Sequence, residues 1–164
     1  VDTIKLYREK FPHIQICAGN VATVSPIERL VKAGATFIKV GVGSGAACKT
    51  RSEVGTGIPQ LSAIMDCYDE AVKYGVEIIS DGGCVTAGDV CKAIGAGAKM
   101  VMVAGMVSKS EECDNIVEVD GKKGGLRSVC TYVGAKSITE LYKRTQFVRV
   151  NSTINRSLEK YEQN

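Results

Sequence analysis

The sequence predicts an α/β chain built on a parallel sheet, and three observations carry that expectation. Short β-branched runs alternate with longer helix-like stretches, the order that βαβ units leave in a sequence. The apolar runs are nearly continuous, as expected for strands covered on both faces. Most runs stop at a glycine, where the chain is free to turn.

Taken in order, residues 3–11 read as the end of an amphipathic helix and 14–18 as a buried strand. Ser25 is placed to cap a helix with Pro26 at its first position, running to Ala33 with Gly34 as the stop. Residues 36–40 form the next strand. Pro59 opens a helix over 60–74, ended by Gly75, and 76–80 is a strand ending at Asp81-Gly82-Gly83. Residues 87–94 are helical, and 100–104 is a strand ending at Gly105. After Met106 the rhythm breaks. Residues 116–123 look like a hairpin arm, 124–134 and 137–142 look helical, 147–150 forms a short extended tail, and the polar end from Asn151 is expected to fray.

Composition bounds what such a chain does. With 164 residues, 45% hydrophobic and 24% charged, it matches a soluble globular protein long enough to bury one core. A net charge of +3, spread along the chain without interleaved aromatics, implies neither nucleic-acid nor membrane partners. No apolar run reaches the roughly 18 residues of a membrane span, and the start at Val1 reads as lacking a signal peptide. The cysteines number seven, an odd count, with no C-x-x-C pair and one histidine, His13, in a loop. That disfavours both a zinc site and a secreted disulfide framework, and favours a reducing, cytoplasmic setting. The expectation is one reactive cysteine and six that pack, with Cys67, Cys91 and Cys130 at helical positions.

The candidate reactive cysteine is Cys48. The run Ile38-Lys39-Val40 stops at a loop containing Gly41, Gly43 and Gly45, and the loop delivers Cys48, then Thr50 and Arg51. Strand-end loops carry the chemistry in α/β folds, and glycines let backbone approach a ligand closely. A small cysteine packed beneath a loop is the alternative; the hydroxyl and the arginine beside it favour a nucleophile. Asp81 ends a strand, where a carboxylate can accept hydrogen bonds from the hydroxyls of a ligand. Gly82 and Gly83 then offer backbone N–H groups ahead of a helix, an anion cradle. Ala104 and Gly105, one unit later, supply its other half, in the usual phosphate position after the last strands of a barrel. A helix cap with turn glycines is the alternative reading of Asp81 to Gly83.

Four strand–helix units in a row are half of an eightfold (β/α)8 barrel, which takes about 250 residues. An isolated half would expose sheet edges and apolar surface that closure hides. The chain is therefore expected to be a portion, the C-terminal half, of a larger single catalytic domain.

Five blocks then carry a family resemblance. Cys17-Ala18-Gly19-Asn20-Val21, the 41–51 loop, Gly55-Thr56-Gly57-Ile58-Pro59-Gln60-Leu61-Ser62-Ala63, Ile79-Ser80-Asp81-Gly82-Gly83-Cys84, and residues 126–135 with 144–150 together resemble GMP reductase. IMP dehydrogenase, on the same TIM barrel, shares the strand–loop–Cys-x-Thr and the Asp-Gly-Gly. Arg51, Cys84 and the 126–150 block resemble the reductase instead.

The resemblance implies reductive deamination: GMP and NADPH give IMP, ammonia and NADP. It assigns Cys48 as the nucleophile that forms a covalent thioimidate and Thr50 as the proton-transfer residue. Asp81, Gly82, Gly83, Ala104 and Gly105 become nucleotide contacts. Val42 and Gly43 become nicotinamide-side contacts, and Ser128, Val129, Cys130 and Thr131 contacts to the cofactor of a neighbouring subunit, in the four-subunit habit of the family. Ser128 to Thr131 read equally as an ordinary helix turn. Gly43, Gly45, Cys48 and Arg51 resemble its potassium site, although the residues alone leave a plain glycine loop with no ion open. The family's mobile flap, with a Tyr-Gly-Met stretch and a catalytic glutamate, is missing: Gly121-Lys122-Lys123 runs directly into Gly124-Gly125-Leu126. Neither Glu118 nor Glu140 matches the glutamate's position. Besides a reductase, the sequence therefore leaves open an IMP dehydrogenase using the same cysteine with NAD, and a nucleotide-binding module without turnover.

Overall fold

The computed structural model describes residues 1–45, 48–107, 130 and 132–147. Its centre is a four-stranded, wholly parallel sheet in the order β1 (Cys17–Val21), β2 (Phe37–Val40), β3 (Glu77–Asp81), β4 (Met100–Met102). Helix α1 (Asp2–Lys10) precedes the sheet, and α2 (Ile27–Lys32), α3 (Gln60–Lys73) and α4 (Ala87–Gly95) connect successive strands. Strand order equal to chain order, with a helix in each crossover, is the winding of a β/α barrel wall.

Burial alternates along the strands. Ala18, Ile38, Val40, Ile78 and Ser80 are buried beneath the helices, whereas Cys17, Phe37, Lys39, Glu77 and Met102 are partly or fully exposed on the other face. The expectation of strands covered on both faces is therefore corrected: among the described residues one face is covered. Its continuous apolar pattern belongs to a sheet whose second face is closed only by further barrel strands. The core lies on the helix side. On α3 the residues Ala63, Ile64, Cys67 and Ala71 recur at helical spacing and pack with Ile27, Ile38 and Ile78.

Several boundaries shift. Strand β1 starts at Cys17 instead of Ile14, because Arg8 reaches from α1 to take the carbonyls of Pro12 and Ile14 at 2.8 and 2.9 Å, holding that stretch as a turn. Ser25 caps nothing: α2 begins at Ile27, with Pro26 itself at the capping position and no side-chain cap. Gly34 does end that helix region, at φ 110°, with the Arg8 guanidinium on its carbonyl. Strand β3 extends to Asp81, one residue beyond the expected end, and β4 stops at Met102, two short of Ala104. Residues 104–107 form a turn closed by Val107 N–H on the Ala104 carbonyl at 3.0 Å.

Beyond the sheet, Cys130 and residues 132–133 are helical, and Gly134 turns at φ 67°. The helix expected over 137–142 is a 3-10 turn (Ile138–Glu140) running into α5 (Leu141–Arg144). Leu141 is buried there, and Phe147, the one described residue of the expected extended tail, packs on the core. The 116–123 hairpin arm, Glu111-Glu112, Cys113, Glu118 and the rest of the 148–150 tail lie outside the described residues, as do Ser128, Val129 and Thr131.

Candidate functional site

The C-terminal tips of β1, β2 and β3 come together at Asp81. In a parallel sheet all strand ends point the same way, so the loops that follow them share one rim. Gly41 leaves β2 at φ 149°, and a Cβ there would collide with the Asp81 carbonyl. That close approach explains the glycine. The loop then crosses the tip of β3: Ser44 Oγ donates to the Asp81 carbonyl at 3.1 Å, and a Cβ on Gly82 would meet Ser44 Oγ and the Gly45 amide. Cys48 N–H returns to the Gly45 carbonyl at 3.0 Å. Cys48 is thus one turn of backbone away from Gly82, on the rim that Asp81 occupies.

Its thiol is exposed, not sealed in apolar packing. Cys48 Sγ lies 3.2 Å from Thr50 Oγ1. The Thr50 hydroxyl is the largest influence lowering its pKa, followed by the Thr50 amide; the Gly43 amide and the Arg51 charge add to this, and slight desolvation opposes them. The net direction is down, toward a thiolate. Thr50 starts a π-helical turn (Thr50–Val54), a feature the sequence reading does not contain. Arg51 reaches back along the loop: its Nη2 donates to the Ile58 carbonyl at 2.6 Å, and its stem fills the space beside Gly43 and Gly57. The arginine therefore braces the loop more than it acidifies the thiol. Thr50→Val is expected to raise the pH midpoint of Cys48 alkylation by iodoacetamide toward the ordinary thiol value of 9.0. An unmoved midpoint would assign the acidification to the backbone amides and the Arg51 charge.

Asp81 is clamped from two strands. Its Oδ2 accepts from Asn20 Nδ2 at 2.8 Å and from Lys39 Nζ at 3.0 Å. Partial burial works to raise its pKa, but the hydrogen bonds from Asn20 and Lys39 and the Lys39 charge outweigh it and hold the carboxyl below its usual range. Both bonds fall on Oδ2; no hydrogen bond among the described residues falls on Oδ1. Asn20 also donates to the Gly41 carbonyl at 2.8 Å, tying β1 to the start of the cysteine loop. Sequence reasoning assigns Asn20 and Lys39 no role. The signal was present for Lys39, a lone charge inside the apolar run Phe37-Ile38-Lys39-Val40.

Gly82 and Gly83 follow at φ 87° and 78°, the left-handed region that favours glycine. They do not lead directly into a helix. Helix α4 starts at Ala87, and its first turn is closed by Thr86 and Asp89 in a reciprocal capping box. Asp89, though partly desolvated, is held ionised by the Thr86 and Val85 amides and the Thr86 hydroxyl. Thr86 is the cap, so the reading of Asp81 as a helix cap is overturned. With the Asp89 carboxylate on the α4 terminus, the groups left for an anion here are the glycine amides and not the helix end.

Of the remaining cysteines, Cys67 and Cys91 are buried and burial raises both thiols, Cys67 to about 11. Cys17 breaks the expectation that every cysteine except Cys48 packs: it is exposed on the open face of β1, its pKa raised by partial desolvation and by the Asp81 charge against the opposing Lys39 charge. Cys130 is half-buried and close enough to Cys91 to influence it, which places it against α4. His13 is exposed in the turn after α1. Among the described residues no three His, Cys, Asp or Glu side chains are grouped to hold a metal, and no helix is long and apolar enough to cross a membrane.

Comparison with known proteins adds the family. The model of the IMP dehydrogenase / GMP reductase domain matches residues 1–124. GMP reductase from Buchnera aphidicola is 40% identical over 94% of this chain and 58% of its own length; GMP reductase 1 of Mus musculus is 40% identical over 94% and 59%. The chain therefore spans less than two thirds of these curated relatives. The Buchnera alignment extends over 203 residues against 164 in the whole chain, so that relative has residues inside the aligned span with no counterpart here. The crystal structure of a GMP reductase variant from Trypanosoma brucei in complex with guanosine 5'-monophosphate superposes with a TM-score of 0.83 at 32% identity, covering 98% of this chain and 43% of that one. A parallel wall of β/α units, a strand-tip cysteine beside a clamped aspartate, and a domain match over most of the sequence lead to one assignment: the chain belongs to the IMP dehydrogenase / GMP reductase family.

Proposed function

We propose that the protein of which this chain is part reduces GMP to IMP and ammonia with NADPH, through a covalent bond between Cys48 and C2 of the purine. The observation that carries this reading is the acidified, exposed Cys48 thiol, 3.2 Å from the Thr50 hydroxyl, on the same rim as the Asp81 carboxylate. An amino-bearing C2 is a poor direct hydride acceptor. The Cys48 thiolate adds to C2, and the C2–N bond breaks as the amine leaves, protonated, as ammonia. Thr50 stands beside the sulfur to relay that proton, backed by a carboxylate that the described residues do not supply. NADPH, when bound, supplies the hydride to C2 of the thioimidate; the C–S bond then breaks, returning the thiolate and releasing IMP.

Asp81 accepts the ribose hydroxyls through the oxygen its clamp leaves open. Gly82 and Gly83, with Ala104 and Gly105 one strand tip away, present backbone to the phosphate. Val42 and Gly43 line the nicotinamide side of the loop. On the same reading, Cys130 and its neighbours reach the cofactor of an adjacent subunit in a homotetramer.

A potassium ion fits the donor chemistry of the loop. Gly43, Gly45 and Cys48 offer neutral carbonyls, which suit a weakly hydrated monovalent cation. The Gly45 and Arg51 carbonyls already accept from the Cys48 and Gly55 amides, and each keeps a second lone pair. The role of such an ion is to hold the loop that aims Cys48. Six unpaired thiols among the described residues fit a reducing, cytoplasmic setting.

The test is spectrophotometric, on the complete protein. NADPH consumption dependent on GMP, with IMP and ammonia formed in equal amounts, is the expected result. NADH production from IMP and NAD would replace it with the dehydrogenase reading. GMP binding with neither turnover would leave a nucleotide-binding module.

A further inference from the structure

Gln60 is the first residue of α3, and its side chain folds back between β2 and β3. Its Nε2 carries two hydrogens and both are used: one goes to the Val40 carbonyl at 2.8 Å, the other to Ser80 Oγ at 3.0 Å. Val40 closes β2, Ser80 precedes Asp81 on β3, and both are fully buried. The β2–β3 register ends at Val40 opposite Ser80, where the chain turns at Gly41 across the Asp81 carbonyl toward the cysteine loop. The Val40 carbonyl thus loses its next partner in the ladder, and the Gln60 amide takes that place. The amide has one workable orientation, since reversing it would set its carbonyl against that of Val40.

The other end of the amide is anomalous. Gln60 Oε1 is buried with no hydrogen-bond partner among the described residues, and lies 3.0 Å from where a Gly41 Cβ would stand. A buried acceptor left unmade costs free energy, and an apolar side chain of the same shape would avoid that cost. Yet the same side chain packs beneath Gly83, whose Cβ would come within 3.1 Å of Gln60 Cβ. Gln60 therefore touches the departure point of the nucleophile loop and the glycines after Asp81 at once.

We propose that Gln60 is a positioning residue for the reaction: it fixes the interval between the tip of β2, which carries the Cys48 loop, and the tip of β3, which carries Asp81. This rests on the reading of Cys48 as nucleophile and Asp81 as ribose ligand. A nucleotide held by its ribose meets the sulfur only if that interval is right, and a misplacement of about 1 Å can cost on the order of 100-fold in rate. The influences that acidify Cys48 lie within its own loop, at Thr50, Gly43 and Arg51. The interval can therefore change while intrinsic thiol reactivity does not.

The experiment compares Gln60→Met and Ser80→Ala with the unaltered complete protein, kcat being counted per Cys48 titrated by iodoacetamide. Gln60→Met is expected to lower kcat with GMP by about 10- to 100-fold, with KM and the Cys48 alkylation rate each within about threefold. Ser80→Ala, which removes one of the two bonds, is expected to give a smaller fall in the same direction, and carries the test alone if Gln60→Met does not fold. A merely structural role would reduce the titrated fraction and leave kcat per titrated site unchanged. Unchanged kcat per site in the variants that fold overturns the proposal while the mechanism stands. Cys48→Ala, run alongside, separates the two: if it retains turnover, the nucleophile reading fails and takes this proposal with it.

Discussion

Cys48→Ala is expected to abolish GMP-dependent NADPH oxidation, by at least about 10³-fold, because a covalent route disappears with its nucleophile. GMP affinity is expected to hold, since on the proposed mechanism the sulfur bonds the purine only in the reacting state, while the proposed ribose and phosphate contacts lie on other strand tips. Turnover under saturating nucleotide and equilibrium binding of GMP to the variant measure the two halves separately. Retained turnover would mean direct hydride transfer to C2 and would remove the thioimidate. The two exposed thiols among the described residues, Cys48 and Cys17, provide an internal control. Cys48 is pulled toward ionisation by Thr50, whereas Cys17 is pushed away from it by desolvation and by Asp81. Limited alkylation near neutral pH, mapped by peptide mass spectrometry, should therefore label Cys48 well before Cys17, and GMP should protect Cys48.

The fold was largely legible because its signal is periodic. Helices α3 and α4 follow spacing and punctuation that survive without tertiary information, and the sequence reading places each within a residue of its observed bounds. What failed was decided by distant partners. Ile14 carries the side chain of a strand residue, but Arg8 claims its carbonyl, so β1 starts later. Ser25 is a good capping residue, but the chain enters α2 through Pro26 in a helical conformation and leaves no capping geometry for it. The burial of both sheet faces failed for another reason: side chains chosen for a closed barrel read the same whether or not the opposing strands are present.

The site divides similarly. Residues that expose a reactive group at a strand tip, Cys48 and Asp81, stand out because glycines and apolar runs frame them. Residues that hold those groups in place do not. Asn20, Lys39 and Gln60 act across 61, 42 and 20 positions of sequence respectively, and only the sheet brings them to their partners. No local pattern encodes such a clamp. The lone lysine in an apolar strand was the one trace of it.

Asp81→Ala is the second large effect, and it falls on binding. A hydrogen bond to a charged group contributes about 1.5–3 kcal/mol, so losing one ribose contact should raise KM for GMP about 10- to 100-fold. Here kcat at saturation should change less than in Cys48→Ala. The acid dependence follows from the clamp. Asn20 and Lys39 hold the carboxyl of folded Asp81 below its usual range despite partial desolvation. The contribution of this ionised group to stability is therefore complete above the unfolded carboxylate pKa and is lost as pH falls through the lower folded value. Ribose binding through the ionised form should weaken over the same acid range. Lys39→Met removes one hydrogen bond and the positive charge, so the carboxyl pKa should rise and the acid limb of KM should move to higher pH. Asp81→Asn should flatten that limb, because nothing at this position then titrates. Measuring KM for GMP against pH in the three proteins decides the matter: if the acid limb persists in Asp81→Asn, the ribose is not held by this carboxylate.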